Sequence, residues 1–170
     1  MLSNNIEISS IPKIANENIT EVVKTLAQSL KCDVKDCDII DAFRGKAFMN
    51  MDGNMYAHLI SKNIKELFVK NIKLRYKNNN PLLANKIYRN FPENKIFIND
   101  QLTRHNKKLL WVSKEVAKNY NYKYTWANMS GIFMRKGEGK QVIKIHNLET
   151  LQKMDQNKKI SELWDSGNVD

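Results

Sequence analysis

Residues 103–119, TRHNKKLLWVSKEVAKN, constrain this chain more than any other stretch. At 3.6 residues per turn, Leu109, Leu110, Val112, Val116, Ala117 and then Tyr120 gather on one side of a helix, so that side has to be covered by another element. Arg104, Lys107, Lys108, Lys114 and Lys118 gather on the opposite side. Trp111 falls in the middle of that basic face, where a solvated helix carries a polar residue. Thr103 suits the N-cap, because its hydroxyl can accept from a backbone N–H one turn on.

The flanking residues supply the cover. KIFIND, from Lys95, reads as a short strand before the helix. After it, Tyr122, Tyr124 and Trp126 alternate with Lys123 and Thr125, the period-two signature of a strand. Asn128 to Gly131 is turn chemistry. A second strand, Ile132 to Lys136, ends at Gly137-Glu138-Gly139, a hairpin-compatible turn. A third strand, Gln141 to Ile145, follows, and Asn147 caps a short helix carrying Leu148, Leu151 and Met154. The predicted unit is β-α-β-β-β-α, with its own small core.

In order and spacing, the run from KIFIND through LTRHNKKLLW, the aromatic strand, GIFMRKGEG and VIKI resembles the C-terminal domain of the baculovirus few-polyhedra (FP) proteins, a domain that insect retroelement-derived proteins share. A more distant similarity is to the first open-reading-frame protein of LINE-type retrotransposons, in which an RRM-like domain precedes a C-terminal domain. The resemblance implies single-stranded nucleic-acid binding without catalysis, in a viral nucleocapsid or a retroelement ribonucleoprotein. LINE-type proteins oligomerise through an upstream coiled coil. This sequence contains no heptad run and starts directly at its first strand, which leaves self-association open.

The N-terminal half fits the same comparison. Asn5 to Ile11 alternates, with Ile6, Ile8 and Ile11 on one face, and ends at Pro12. Asn16 or Asn18 then caps a helix in which Ile19, Val22, Val23, Leu26 and Leu30 recur at helical spacing to about Lys31. A strand followed by such a helix is how an RRM-like, ferredoxin-type domain opens, and NIEISSIP with ENITEVVKTLAQSL resembles that region of the FP-like and LINE-type proteins. DIIDAFR matches a short Ile-rich segment that ends in a basic residue in the relatives. Their His-Arg pair reads Phe43-Arg44 here, so the resemblance carries over Arg44 alone as an RNA contact. Met55 to Ile60 is the next candidate strand and Lys62 to Leu74 a second helix. Lys62, Lys65, Lys70, Lys73, Arg75 and Lys77 give that region another basic surface. No aromatic RNP-type signature is present, so its sheet is not expected to be a standard base-stacking platform. KNNNP, from Lys77, reads as a linker, Leu82 to Phe91 as a last strand or turn, and Pro92-Glu93-Asn94 as a separator.

The predicted fold class is therefore α+β: an RRM-like domain over residues 1–91, the FP-type nucleic-acid-binding domain over 92–156, and a tail over 157–170, polar apart from Ile160, Leu163 and Trp164, that reads either as a short docking helix or as disordered. A formal net charge of +10 and a pI of about 9.5 suit a polyanionic partner, whether nucleic acid, an anionic membrane surface or an acidic protein, and equally a solvated lysine-rich surface. No apolar run approaches the roughly 18 residues of a membrane span. The N-terminus lacks the basic start and apolar core of a signal peptide. A cytosolic or nuclear location is expected, with virion association added by the resemblance, and Cys32 and Cys37 are expected to be reduced there.

The proposed contact set is Arg104, Lys107, Lys108, Lys114 and Lys118, joined in one groove by Arg135, Lys136, Lys140 and Lys144 of the meander, with Trp111 as the stacking residue. Lysines on phosphates release counterions, and an exposed ring offers a face to a base. The bland alternative packs Trp111 under the first domain or the tail, and packs the Tyr122-Tyr124-Trp126 row over the helix. Phosphate contacts carry no sequence information, and bidentate base contacts favour the Arg that is scarce here, so weak sequence preference is expected.

Enzymatic readings are thin. Asp33, Asp36, Asp38 and Asp41 are the one cluster that suits Mg²⁺ in a nuclease, but no nearby motif assigns a base, and capping and solvation account for them. Cys32 and Cys37 make half a zinc site at most. His58, His105 and His146 lack ligand spacing, and GEG is a turn. No cofactor, metal or small-molecule substrate is expected. The alternative function is a viral structural or adaptor protein whose basic face meets an acidic protein.

Overall fold

In the computed structural model, which describes residues 4–47, 52–128, 130–160 and 162, alternation along β1 (Asn5–Ser9) buries Ile6 and Ile8 and leaves Asn5, Glu7 and Ser9 half-exposed. That strand sits inside a four-stranded antiparallel sheet with β2 (Ile39–Arg44), β3 (Met55–Leu59) and β4 (Phe97–Asp100), in the order β2-β3-β1-β4. Helices α1 (Ile19–Ser29) and α2 (Lys62–Lys77) cover the face that carries Ile6, Ile8, Met55, Ala57 and Leu59, contributing Val22, Val23, Leu26, Phe68 and Ile72 to one core. The described residues make an α+β chain of four α-helices and two antiparallel sheets. None of the helices is long and apolar enough to cross a membrane.

The helix starts follow local chemistry. Of the two candidate caps for α1, Asn18 serves, its side chain accepting from the Glu21 N–H at 3.2 Å. Asn16 instead takes φ 53°, the left-handed turn conformation that asparagine tolerates. Ser61 caps α2 through the Ile64 N–H at 3.3 Å.

The division of the chain lies later than the punctuation residues suggest. Two compact units form, Leu2–Gln101 and Leu102–Asp170. KIFIND does not open the second: β4 pairs antiparallel with β1, Ile98 opposite Ile8, and Ile96 and Ile98 lie in the first core. KNNNP is a loop inside that unit, because Leu82, Ala84 and Ile87 beyond it return to the same core. A strand's alternation announces that it needs a partner and a core, but not which sheet supplies them.

The second unit is a helix packed on a meander. Helix α3 (Arg104–Asn119) starts at Thr103, whose hydroxyl accepts from the Asn106 N–H at 3.3 Å. The strands β5 (Tyr124–Asn128), β6 (Gly131–Arg135) and β7 (Val142–Ile145) pair antiparallel in chain order. Met129, in the predicted 128–131 turn, lies outside the described residues. Leu109, Val112, Val116 and Ala117 of α3 pack with Ile132, Met134 and Ile145 of the sheet and Leu151 of α4 (Leu148–Met154). Asn147 caps α4 through the Thr150 N–H at 3.0 Å.

This core does not end at residue 156. Of the two readings of the tail, Ile160 follows the docked one: it is 8% exposed and belongs to the same cluster. The buried Asp155 carboxylate holds it there, accepting from the Lys159 N–H at 2.9 Å, the Ile160 N–H at 3.3 Å and the Tyr120 hydroxyl. Burial first, and then that carboxylate, hold the Tyr120 phenol above its usual range. Stability from this contact is therefore intact below tyrosine's ordinary pKa and is lost as alkali ionises the folded phenol. Leu163 and Trp164 lie outside the described residues. Ile160→Ala should cost about 2 kcal/mol, the low end for truncating a buried isoleucine, read as a lower urea midpoint at unchanged slope. An unshifted midpoint would return residues 157–160 to the status of a tail.

Candidate functional site

Helix α3 carries its cations on the side turned away from the sheet. Arg104, Lys107, Lys114 and Lys118 are exposed and Lys108 is half-buried, because the apolar residues between them are committed to the sheet. Trp111 is 45% exposed in their midst. It does not serve as core, and the burial of Leu109 and Val112 on either side of the stripe explains why: rotating Trp111 inward would turn both out. Glu115 lies on the same face and takes Lys118 as a partner at 2.6 Å, so the positive potential is strongest over the first turns of the helix. Residues 102–170 hold thirteen of the chain's 28 Lys and Arg and seven of its 18 Asp and Glu.

The four meander cations do not join that face in one groove. On β6, Ile132 and Met134 turn to the helix, so Gly131, Phe133 and Arg135 turn away from it. Directly paired residues share a face, which places Lys144 and Val142 of β7, opposite Phe133 and Arg135, on the far side as well. Arg135 and Lys144 thus stand on the surface opposite the α3 basic face. Lys136 lies just past the end of β6 with its ammonium 5.4 Å from the Tyr122 ring. Lys140 is exposed in the turn, its N–H bonded to the Gly137 carbonyl.

The aromatic row divides for a related reason. Tyr122 packs on the core, because β5 begins only at Tyr124 and residues 121–123 still turn. Tyr124 and Trp126 pair with Arg135 and Phe133 and so point away from α3. Phe133 is a surface aromatic that sequence reasoning misses. Its spacing of two from Arg135 is the signal available.

Arg44 is not a surface contact. Its Nε and one terminal nitrogen fork onto the two oxygens of Glu17 at 2.6 and 2.7 Å. The remaining N–H groups donate to the carbonyls of Ile11 at 3.0 Å, Gly53 at 2.8 Å and Pro12 at 3.3 Å. The side chain is 8% exposed, and its five donors are all in use. Lys65 leaves the α2 basic surface too: it is 1% exposed, with its ammonium 2.7 Å from Asp100. Arg75 donates to the Asn80 and Ser29 carbonyls. Lys70, Lys73 and Lys77 remain exposed on α2.

The outer face of the first sheet carries Phe43 stacked on Tyr56, 5.4 Å between ring centres. Glu7 lies beside them and accepts from Asn54 at 2.7 Å and Tyr56 at 3.2 Å, while Asp41 pairs across from His58. Two carboxylates on that face work against a phosphate backbone. The aspartates between residues 33 and 41 do not converge: Asp36 pairs with Lys24 at 3.0 Å, and Asp38 accepts from the Lys35 N–H at 2.8 Å. Among the described residues no group of three or more His, Cys, Asp or Glu could hold a metal ion. Cys32 is buried and Cys37 exposed, and neither is in a disulfide. Burial pushes the Cys32 thiol up, against the grain of a reactive thiolate.

No curated protein matches the chain. Residues 103–155 match the family model described as baculovirus FP protein domain 2, which covers about a third of the sequence. The stretch from the Thr103 cap through α4, helix, meander and closing helix together, is thus similar to the second domain of the baculovirus FP proteins.

Proposed function

We propose that this protein binds single-stranded nucleic acid, without catalysis and with little sequence preference, as part of a viral or retroelement ribonucleoprotein in the cytoplasm or nucleus. The observation that carries the reading is the exposed Trp111 set among Arg104, Lys107, Lys108, Lys114 and Lys118. Lysines there neutralise phosphates, and the indole offers one face to a base, worth about 1–3 kcal/mol. The similarity of residues 103–155 to an FP protein domain supports the viral setting. We read Leu2–Gln101 as an RRM-like domain, supported by its β-α-β-β-α-β order and its β2-β3-β1-β4 sheet. Its carboxylate-bearing outer face favours leaving the contact to the second unit.

The test is affinity for a labelled single-stranded RNA and for duplex DNA across a salt series. Tight binding to the single strand should weaken steeply with salt. Lys107→Ala with Lys108→Ala should weaken binding to all sequences alike and flatten the log–log slope by about 0.7 for each phosphate that is no longer neutralised. A shallow salt dependence, or loss of binding to one sequence alone, would overturn the reading and favour an acidic protein partner.

A further inference from the structure

The face of the meander turned away from α3 is built differently from the rest of the molecule. Trp126 and Phe133, directly paired across β5 and β6, stack with ring centres 5.6 Å apart and planes 20° from parallel. Neither ring belongs to the hydrophobic core, and both keep part of their surface in solvent. Arg135 lies over the Tyr124 ring at 4.7 Å, and the Lys144 ammonium sits 6.0 Å from the Phe133 ring. Gly131, at the start of β6, takes a φ of 142°, which belongs to glycine, and lies beside the Lys144 side chain.

The stacking and the cation–π contacts hold the row in place, and both rings still keep part of their surface in solvent. Aromatic faces interleaved with cations are complementary to one class of partner, in which flat π-systems alternate with negative charge. Exposed Lys123, its ammonium 5.2 Å from the Tyr124 ring, flanks the row, and Glu138, bonded to the Tyr124 hydroxyl at 2.9 Å, is a carboxylate at its rim.

We infer that the outer face of the meander is a second contact surface for single-stranded nucleic acid, on which bases stack against Trp126 and Phe133 while Arg135 and Lys144 meet the flanking phosphates. The inference rests on the binding function proposed above and adds to it a site on the opposite side of the second unit from α3.

The two surfaces should respond differently. For a single-stranded oligonucleotide at fixed salt, Trp126→Ala should weaken binding of the full chain about 5- to 160-fold, the range that one missing stacking partner allows. The salt slope should stay unchanged, since every phosphate keeps its cation. The same strand made abasic should bind wild type and Trp126→Ala equally. Lys144→Glu, at an exposed position, should weaken binding several-fold and alter the slope, and it guards against a Trp126 variant that fails to fold. If Trp126→Ala and Lys144→Glu both bind like wild type while the Lys107/Lys108 variant loses affinity, the meander site is overturned and the α3 site stands. If Trp126→Ala does not fold, Lys144→Glu decides alone, wild-type affinity again overturning the proposal. If the wild-type chain binds no single strand, both readings fall together.

Discussion

Replacing Arg44 by methionine should cost about 3–5 kcal/mol of folding free energy, the range for removing one partner of a buried ion pair. The damage spreads well beyond that pair. Arg44 ties the exit of β1, at Ile11 and Pro12, to Glu17 just before the α1 cap and to Gly53 just before β3. Without it a carboxylate only 10% exposed and three carbonyls lose their donors. Arg44→Lys should restore little, because one ammonium cannot reach four acceptors arranged for a planar fork. The methionine variant also separates the two roles given to this residue. A phosphate contact would keep stability and lose affinity, whereas a staple loses stability and, in the fraction that remains folded, keeps affinity. Chemical denaturation alongside the binding titration distinguishes them.

The second large effect is expected at Lys65 and Asp100, which join α2 to the end of β4. Lys65→Met should cost about 3 kcal/mol, toward the lower end because the Asp100 carboxylate left behind is 14% exposed and can recruit water. Asp100→Leu should cost more, since the ammonium it strands is 1% exposed. The double variant should recover most of either loss, as apolar replacements of buried pairs commonly do. The diagnostic quantity is the coupling energy from a double-mutant cycle. Additive losses would mean that the ammonium finds water despite its burial.

These two pairs also show what the sequence could not reveal. Helix starts at Asn18, Ser61, Thr103 and Asn147, and the buried stripes of α1 and α3, follow from chemistry within one or two turns, and they are readable. Glu17 lies 27 residues from Arg44, and Asp100 lies 35 from Lys65. No spacing rule links them, because the sheet order brings them together. The assignment of KIFIND fails for the same reason: its alternation is satisfied equally by either sheet. Ile160, Leu163 and Trp164 are three apolar residues in a short polar stretch, a spacing that suits a docking helix but does not say which core it joins. At the candidate site, α3 is legible because a helix has one buried stripe and the remainder is surface. The meander is not, since period two defines two faces without saying which one the helix covers. One clue is available in composition. Five arginines stand among 23 lysines, and three of them, Arg44, Arg75 and Arg135, use the guanidinium plane on a carboxylate, backbone carbonyls or a ring where a lysine would not serve.

The placement of α3 on one side of a three-stranded sheet has a further consequence for stoichiometry. If both proposed surfaces bind strand, this two-layer unit has a valence of two, with no need for a second copy. On the binding reading, one molecule bridges two segments of strand when protein is scarce. An excess of protein fills each segment separately and dissolves the bridges. Cross-linking would then peak at an intermediate ratio of protein to strand, a behaviour set by the thickness of one helix on one sheet.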